Sequence, residues 1–83
     1  MTGEPSAGAS RTLADLEVGQ HARVEALDGA SAIVQRLLEM GITKGVEVAV
    51  VRFAPLGDPM EVKVRGYLLS LRRADARAIR IGT

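Results

Sequence analysis

Alternation of apolar and polar positions is the strongest signal in the chain. Over residues 20–27, Ala22, Val24 and Ala26 fall on one side and His21, Arg23 and Glu25 on the other, the period of a half-buried strand. Asp28-Gly29 follows with turn chemistry. Over residues 31–40 the period lengthens: Ala30, Ile33, Val34, Leu37, Leu38 and Met40 share one broad arc, Gln35 and Glu39 lie opposite, and Arg36 flanks them. That predicts a helix buried along the arc. Gly41 stands where a left-handed C-cap is needed, and Thr43-Lys44-Gly45 makes another turn. Val46, Val48, Val50, Val51 and Phe53 put apolar side chains on both faces of residues 46–53, predicting a central or helix-covered strand. The segment Ala54-Pro55-Leu56-Gly57-Asp58-Pro59 cannot extend it, because proline has no N–H to give a ladder.

Residues 60–64 alternate again, with Met60, Val62 and Val64 inward and Glu61 and Lys63 outward. Arg65-Gly66 fits a two-residue hairpin, after which Tyr67, Leu69 and Leu71 resume the inward face opposite Leu68, Ser70 and Arg72. Arg73 to Ala76 reads as one turn of 3-10 helix, and Ile79 and Ile81 mark a last short strand. At the front, Thr12 and Asp15 have capping-box spacing, Leu13 and Leu16 share one side of a single helical turn, and Gly19 ends it. The predicted order is β-α-β-β-β-β behind a short helical turn. Five short strands in so few residues favour a mainly-β, small, partly closed barrel, since closure hides strand edges. One helix between strands 1 and 2 plugs an opening or covers a side. The ordered domain is expected to span residues 12–83, behind a leader, residues 1–11, whose small, polar and turn-forming residues predict disorder.

Composition narrows the function classes. Eighty-three residues hold one domain with a small core, 47% of them hydrophobic and 25% charged. The absence of cysteine excludes disulfides, thiolate metal sites and thiol nucleophiles. The apolar run at residues 48–51 is far too short to cross a bilayer, and no signal-peptide core precedes it, so a soluble, cytoplasmic protein without direct membrane insertion is expected. The net charge of +1 conceals an asymmetry: residues 61–83 carry Lys63, Arg65, Arg72, Arg73, Arg77 and Arg80 against Glu61 and Asp75. A basic C-terminal third suits an acidic partner protein, a nucleic acid or an anionic surface; a set of solvated strand faces is the plainer reading.

The ordered set Arg36-Leu37-Leu38-Glu39-Met40-Gly41, then Gly45, then Ala54-Pro55-Leu56-Gly57-Asp58-Pro59, then Gly66, then Leu69-Ser70-Leu71-Arg72 with Asp75-Ala76 and the closing Ile79 and Ile81, resembles the FeoA family of small cytosolic ferrous-iron transport proteins over roughly residues 12–81. The resemblance implies an SH3-like barrel and an accessory role beside FeoB, a membrane permease with a cytosolic GTPase domain. A similar domain closes the iron-dependent repressors of the diphtheria-toxin-repressor family, but this chain has no room for a helix-turn-helix. Within the pattern Gly41 serves the C-cap, Pro55 and Pro59 stiffen a loop that Gly57-Asp58 turns, and Leu37 and Met40 are core. Arg36 either pairs with Glu39, bonds carbonyls of a neighbouring loop or reaches a partner, the structural role being preferred.

No enzyme is expected. The chain has one histidine, no Ser-His-Asp spacing, no carboxylate pair on one face and no phosphate loop, since Gly41-Ile42-Thr43-Lys44-Gly45 lacks Walker spacing. Neither a cofactor nor a metal site is expected: His21 has only Glu25 on its own face, and Met40 and Met60 read as core filler. Phe53 and Tyr67 are too few to build a proline-rich groove or to stack single-stranded nucleic acid. Protein recognition remains, through Leu56, Gly57 and Asp58 in the loop, through Arg65, Arg72 and Arg73, or through the solvent side of the helix, with Leu27 and Leu68 as outward apolar positions; Leu56 either stands exposed as an anchor or folds back onto the barrel. Weak self-association through an edge strand is an open option. The alternative is a stand-alone regulatory module that binds a repressor or nucleic acid.

Overall fold

The helix stops where its sequence dictates. The computed structural model describes residues 11–82; residues 1–10 of the expected leader lie outside them. Helix α1 (Ser31–Glu39) ends at Met40. Gly41 then turns left-handed at φ 92°, which a side chain would resist. The Gly41 N–H donates to the Leu38 carbonyl at 3.0 Å and the Ile42 N–H to the Leu37 carbonyl at 3.0 Å. These are the paired bonds of a Schellman cap, and Leu37 and Ile42, the two residues the cap draws together, are both fully buried.

The strands are β1 (His21–Leu27), β2 (Glu47–Phe53), β3 (Met60–Val64), β4 (Tyr67–Leu71) and β5 (Ile79–Gly82), with a single turn α2 (Arg73–Ala76) before β5 and a 3-10 turn (Leu13–Asp15) before β1. They form one antiparallel sheet in the order β4-β3-β2-β1-β5. Its inward side chains, among them Val24, Val48, Val50, Val62, Leu71 and Ile79, join Leu13 and Leu37 in one cluster, so the sheet curls around a single core. At about 25 cal/mol per Å² of apolar surface, that cluster is the main source of stability. The expected capping box is present at Thr12, whose N–H donates to Asp15 Oδ2 at 2.9 Å.

The β3–β4 hairpin closes through Arg65 (φ 53°) and Gly66 (φ 87°), both left-handed, as a two-residue turn that matches strand twist requires. From there Val64 pairs with Tyr67, Val62 with Leu69 and Met60 with Leu71.

Four expectations are corrected. Tyr67 keeps the inward register but is 71% exposed: its partner Val64 is core, and at this level the core stops at β3 without reaching the end strand. Leu27 packs against the core instead of facing out: a bulge between Val24 and Ala26 shifts the register with β5 and lets Leu27 pair with Ile79. The apolar arc of α1 is buried along one edge only, with Leu37 enclosed, Ile33 and Met40 half-buried and Leu38 43% exposed. The turn at Arg73–Ala76 is α rather than 3-10, since Ala76 N–H reaches Arg72 O and Arg77 N–H reaches Arg73 O, each at 3.0 Å.

Candidate partner-binding surface

The β2–β3 loop is held from two sides. Within it the Ala54 N–H donates to the Pro59 carbonyl at 2.9 Å and the Gly57 N–H to the Ala54 carbonyl at 2.7 Å. Across it lies Arg73. Its Nε donates to the Gly57 carbonyl at 2.7 Å and its Nη1 to the Ala14 carbonyl at 3.4 Å. The guanidinium sits 4.5 Å from the centroid of the Phe53 ring, within cation-π range. In return, Asp58 Oδ1 accepts the Arg73 backbone N–H at 3.1 Å and caps the first turn of α2 from outside that segment. Arg73 thus spends its donors on the loop and on the 3-10 turn, rather than standing among the outward arginines.

So clamped, the loop lifts Leu56 into solvent, 96% exposed. Beside it a depression of about 440 Å³ is lined by Asp58, Pro59, Ser70 and Arg72. Arg72 is exposed and has no ion-pair partner among the described residues. Arg65 lies at the far end of β4, where Nη2 is 3.5 Å from Thr43 Oγ1. Leu56, Asp58 and Arg72 therefore belong to one surface, and Arg65 borders it along β4.

The expected structural residues sort differently from their sequence spacing. Arg36 pairs not with Glu39 but with Asp75 on α2, at 3.2 Å, while Glu39 accepts from Gln35 at 3.4 Å. Arg36 and Asp75 thus join the end of α1 to α2, a structural role, and it is Arg73 that bonds a carbonyl of the β2–β3 loop. Gly45 is held through its backbone: its N–H donates to the Val24 carbonyl at 2.8 Å. His21 Nδ1 meets Glu47 Oε2 at 2.6 Å, a partner on the adjacent strand in place of Glu25. Only the β1–β2 register, which puts Ala49 opposite His21 and Glu47 opposite Arg23, reveals that pair.

A small five-stranded antiparallel sheet curled around one core, with one helix and a 3-10 turn, is the frame of an SH3-like fold. The chain belongs to the FeoA family: the FeoA domain model matches residues 11–82. It is 38% identical over 69 residues to an Fe(2+) transport protein A/Fe(2+) transporter FeoB fusion protein of Porphyromonas gingivalis, a match covering 83% of this chain and 8% of that protein's length. It superposes with a TM-score of 0.78, at 34% identity and over 88% of this chain and 91% of the other, on the crystal structure of Stenotrophomonas maltophilia FeoA complexed with zinc, described as an SH3 domain protein. The fold alone recurs, at 16% identity and a TM-score of 0.81, in a manganese-dependent transcriptional repressor, over 90% of this chain and 37% of that one.

The Porphyromonas gingivalis relative ties the family to ferrous-iron transport. Among the described residues no three His, Asp or Glu side chains converge, so they do not offer a metal such as zinc its usual ligand set. Among the same residues no helix is long and apolar enough to cross a membrane.

Proposed function

We propose that the chain is a non-catalytic, cytoplasmic accessory of ferrous-iron uptake that docks on the cytosolic part of a FeoB-type permease and modulates it. The observation that carries this reading is Leu56, an almost fully exposed apolar side chain on a loop that Arg73 and Asp58 hold in one shape. A pre-shaped loop loses little entropy on binding, so an apolar tip on it is an efficient anchor. Arg72 adds a charge that attracts an acidic patch. The Porphyromonas gingivalis relative supports the choice of partner, because a fusion supplies by tethering the proximity that a separate chain must obtain by affinity.

Nucleic acid is the weaker alternative. The Phe53 ring is occupied by Arg73, which leaves Tyr67 as the single aromatic free to stack a base.

Calorimetric titration against the cytosolic domain of the FeoB-type protein from the same genome, with and without a GTP analogue, tests the reading. Saturable binding is expected, weakened about tenfold or more by Leu56→Asp combined with Arg72→Glu. Unchanged affinity in a correctly folded double variant overturns the surface; no binding by the unaltered protein overturns the partner.

A further inference from the structure

Strand β4 lies at one end of the sheet, and its outer edge is bare. The two-residue turn makes Val64 and Tyr67 a hydrogen-bonded pair. Alternation along an antiparallel ladder then directs the N–H and C=O groups of Leu68 and Ser70 away from β3. Neither residue's backbone bonds anything on that side among the described residues, and both residues are exposed.

Natural edges are commonly blunted by a charge, a proline, a bulge or a covering segment. None of these protects β4. Residues 67–71 are Tyr-Leu-Leu-Ser-Leu, without charge or proline, and pair with β3 in unbroken register. Two depressions flank the strand's C-terminal half. One, lined by Asp58, Pro59, Ser70 and Arg72, lies toward the loop; the other, of about 540 Å³, is lined by Arg36, Met40, Leu71 and Asp75 together with Ser70 and Arg72. Side chains of an added strand point alternately to its two faces, so successive residues would enter one depression and then the other.

Charge selects the occupant. Arg65 stands at one end of β4, Arg72 at the other, and Lys63 lies opposite Leu68 on the outer face. None of the three is ion-paired among the described residues, whereas the nearby acids are engaged: Asp75 with Arg36, Glu61 with Arg52, and Asp58 with the start of α2. A second copy pairing antiparallel would set the Arg65 end against the Arg72–Arg73 end, like charge against like.

We infer that the β4 edge binds an extended segment of a partner protein by strand addition, the segment having acidic residues at both ends and side chains that alternate between the two depressions. The inference rests on the docking role proposed above and specifies its geometry: the Leu56 loop flanks the same strand.

The probe is a synthetic peptide, Glu-Glu-Val-Thr-Val-Thr-Val-Glu-Glu, added to the isotope-labelled full chain while amide exchange and chemical shifts are read by NMR. The Leu68 and Ser70 amides should become protected on titration. Binding should weaken about tenfold when lysine replaces each glutamate of the peptide. Leu68→Pro should abolish it, since that proline removes a donor β3 does not use. Leu68→Asp keeps the backbone and repels the acidic peptide, so its binding should also fall.

Unprotected Leu68 and Ser70 amides at saturating peptide, or binding by both variants as tight as that of the unaltered chain, overturn the inference. Protection that grows with protein concentration in the absence of peptide overturns the acidic occupant in favour of a second copy. Repeating the measurement with the FeoB-type cytosolic domain separates the two proposals. A domain that binds and leaves both amides exposed refutes strand addition and keeps docking; a domain that does not bind refutes docking, and the peptide result then decides the edge.

Discussion

The two ends of the sheet meet the same problem in opposite ways. At the β5 end the chain that precedes the barrel covers the edge: the Ile81 N–H donates to the Arg11 carbonyl at 3.0 Å, Thr12 bridges to Arg80, and Leu13 and Leu16 carry the contact into the core. At the β4 end Leu68 and Ser70 present backbone groups to water and Leu68 is 60% exposed. A domain of this size has little stability to spare. One edge is sealed by its own chain; the other sends Leu71 into the core but leaves its outer ladder groups available. The contrast separates the part of the barrel that holds the fold from the part suited to recognition.

Substitutions at the two ends should therefore differ in kind. Leu13→Ala, at the sealed end, removes a fully buried side chain and should cost about 2–5 kcal/mol in urea denaturation. A loss below about 0.5 kcal/mol would mean the covering segment is not part of the core. Arg73→Ala should cost about 1–3 kcal/mol, since it strips donors from the Gly57 and Ala14 carbonyls and uncovers Phe53. The same variant should broaden the NMR signals of residues 54–59; a loop left as sharp as before would show that Arg73 does not hold it. Leu68→Asp, at the bare end, should change stability by no more than about 0.5 kcal/mol, because an exposed side chain is replaced and Lys63 lies opposite to receive the new charge. A larger loss would make β4 a structural edge and dissolve the contrast.

Much of this was legible in the sequence, and the reason is locality. The cap at Gly41, the turn at Arg65-Gly66 and the order of elements along the chain all follow from residues a few positions apart, whose spacing records their geometry. Leu37 was readable as core for the same cause. What the sequence concealed depends on pairing over distance. The bulge that turns Leu27 inward arises between β1 and β5, elements more than fifty positions apart. Tyr67 has the correct alternation, yet alternation does not reveal where the core ends. Arg36 and Arg73 are both arginines near acidic residues, and only the folded chain assigns Asp75 to one and the Gly57 carbonyl to the other. Within the candidate surface, Leu56 and Arg72 could be singled out by loop chemistry and charge, whereas the open ladder groups of Leu68 and Ser70 required the sheet order.

The most direct test of the central claim, that recognition is confined to the β4 end, is amide hydrogen exchange on the full chain with and without the FeoB-type cytosolic domain. The account predicts new protection at Leu68, Ser70 and residues 54–59, with Ile81 already protected in the free protein and unchanged in the complex. New protection confined to β5 or to the exposed side of α1, with Leu68 and Ser70 exchanging as before, would contradict it.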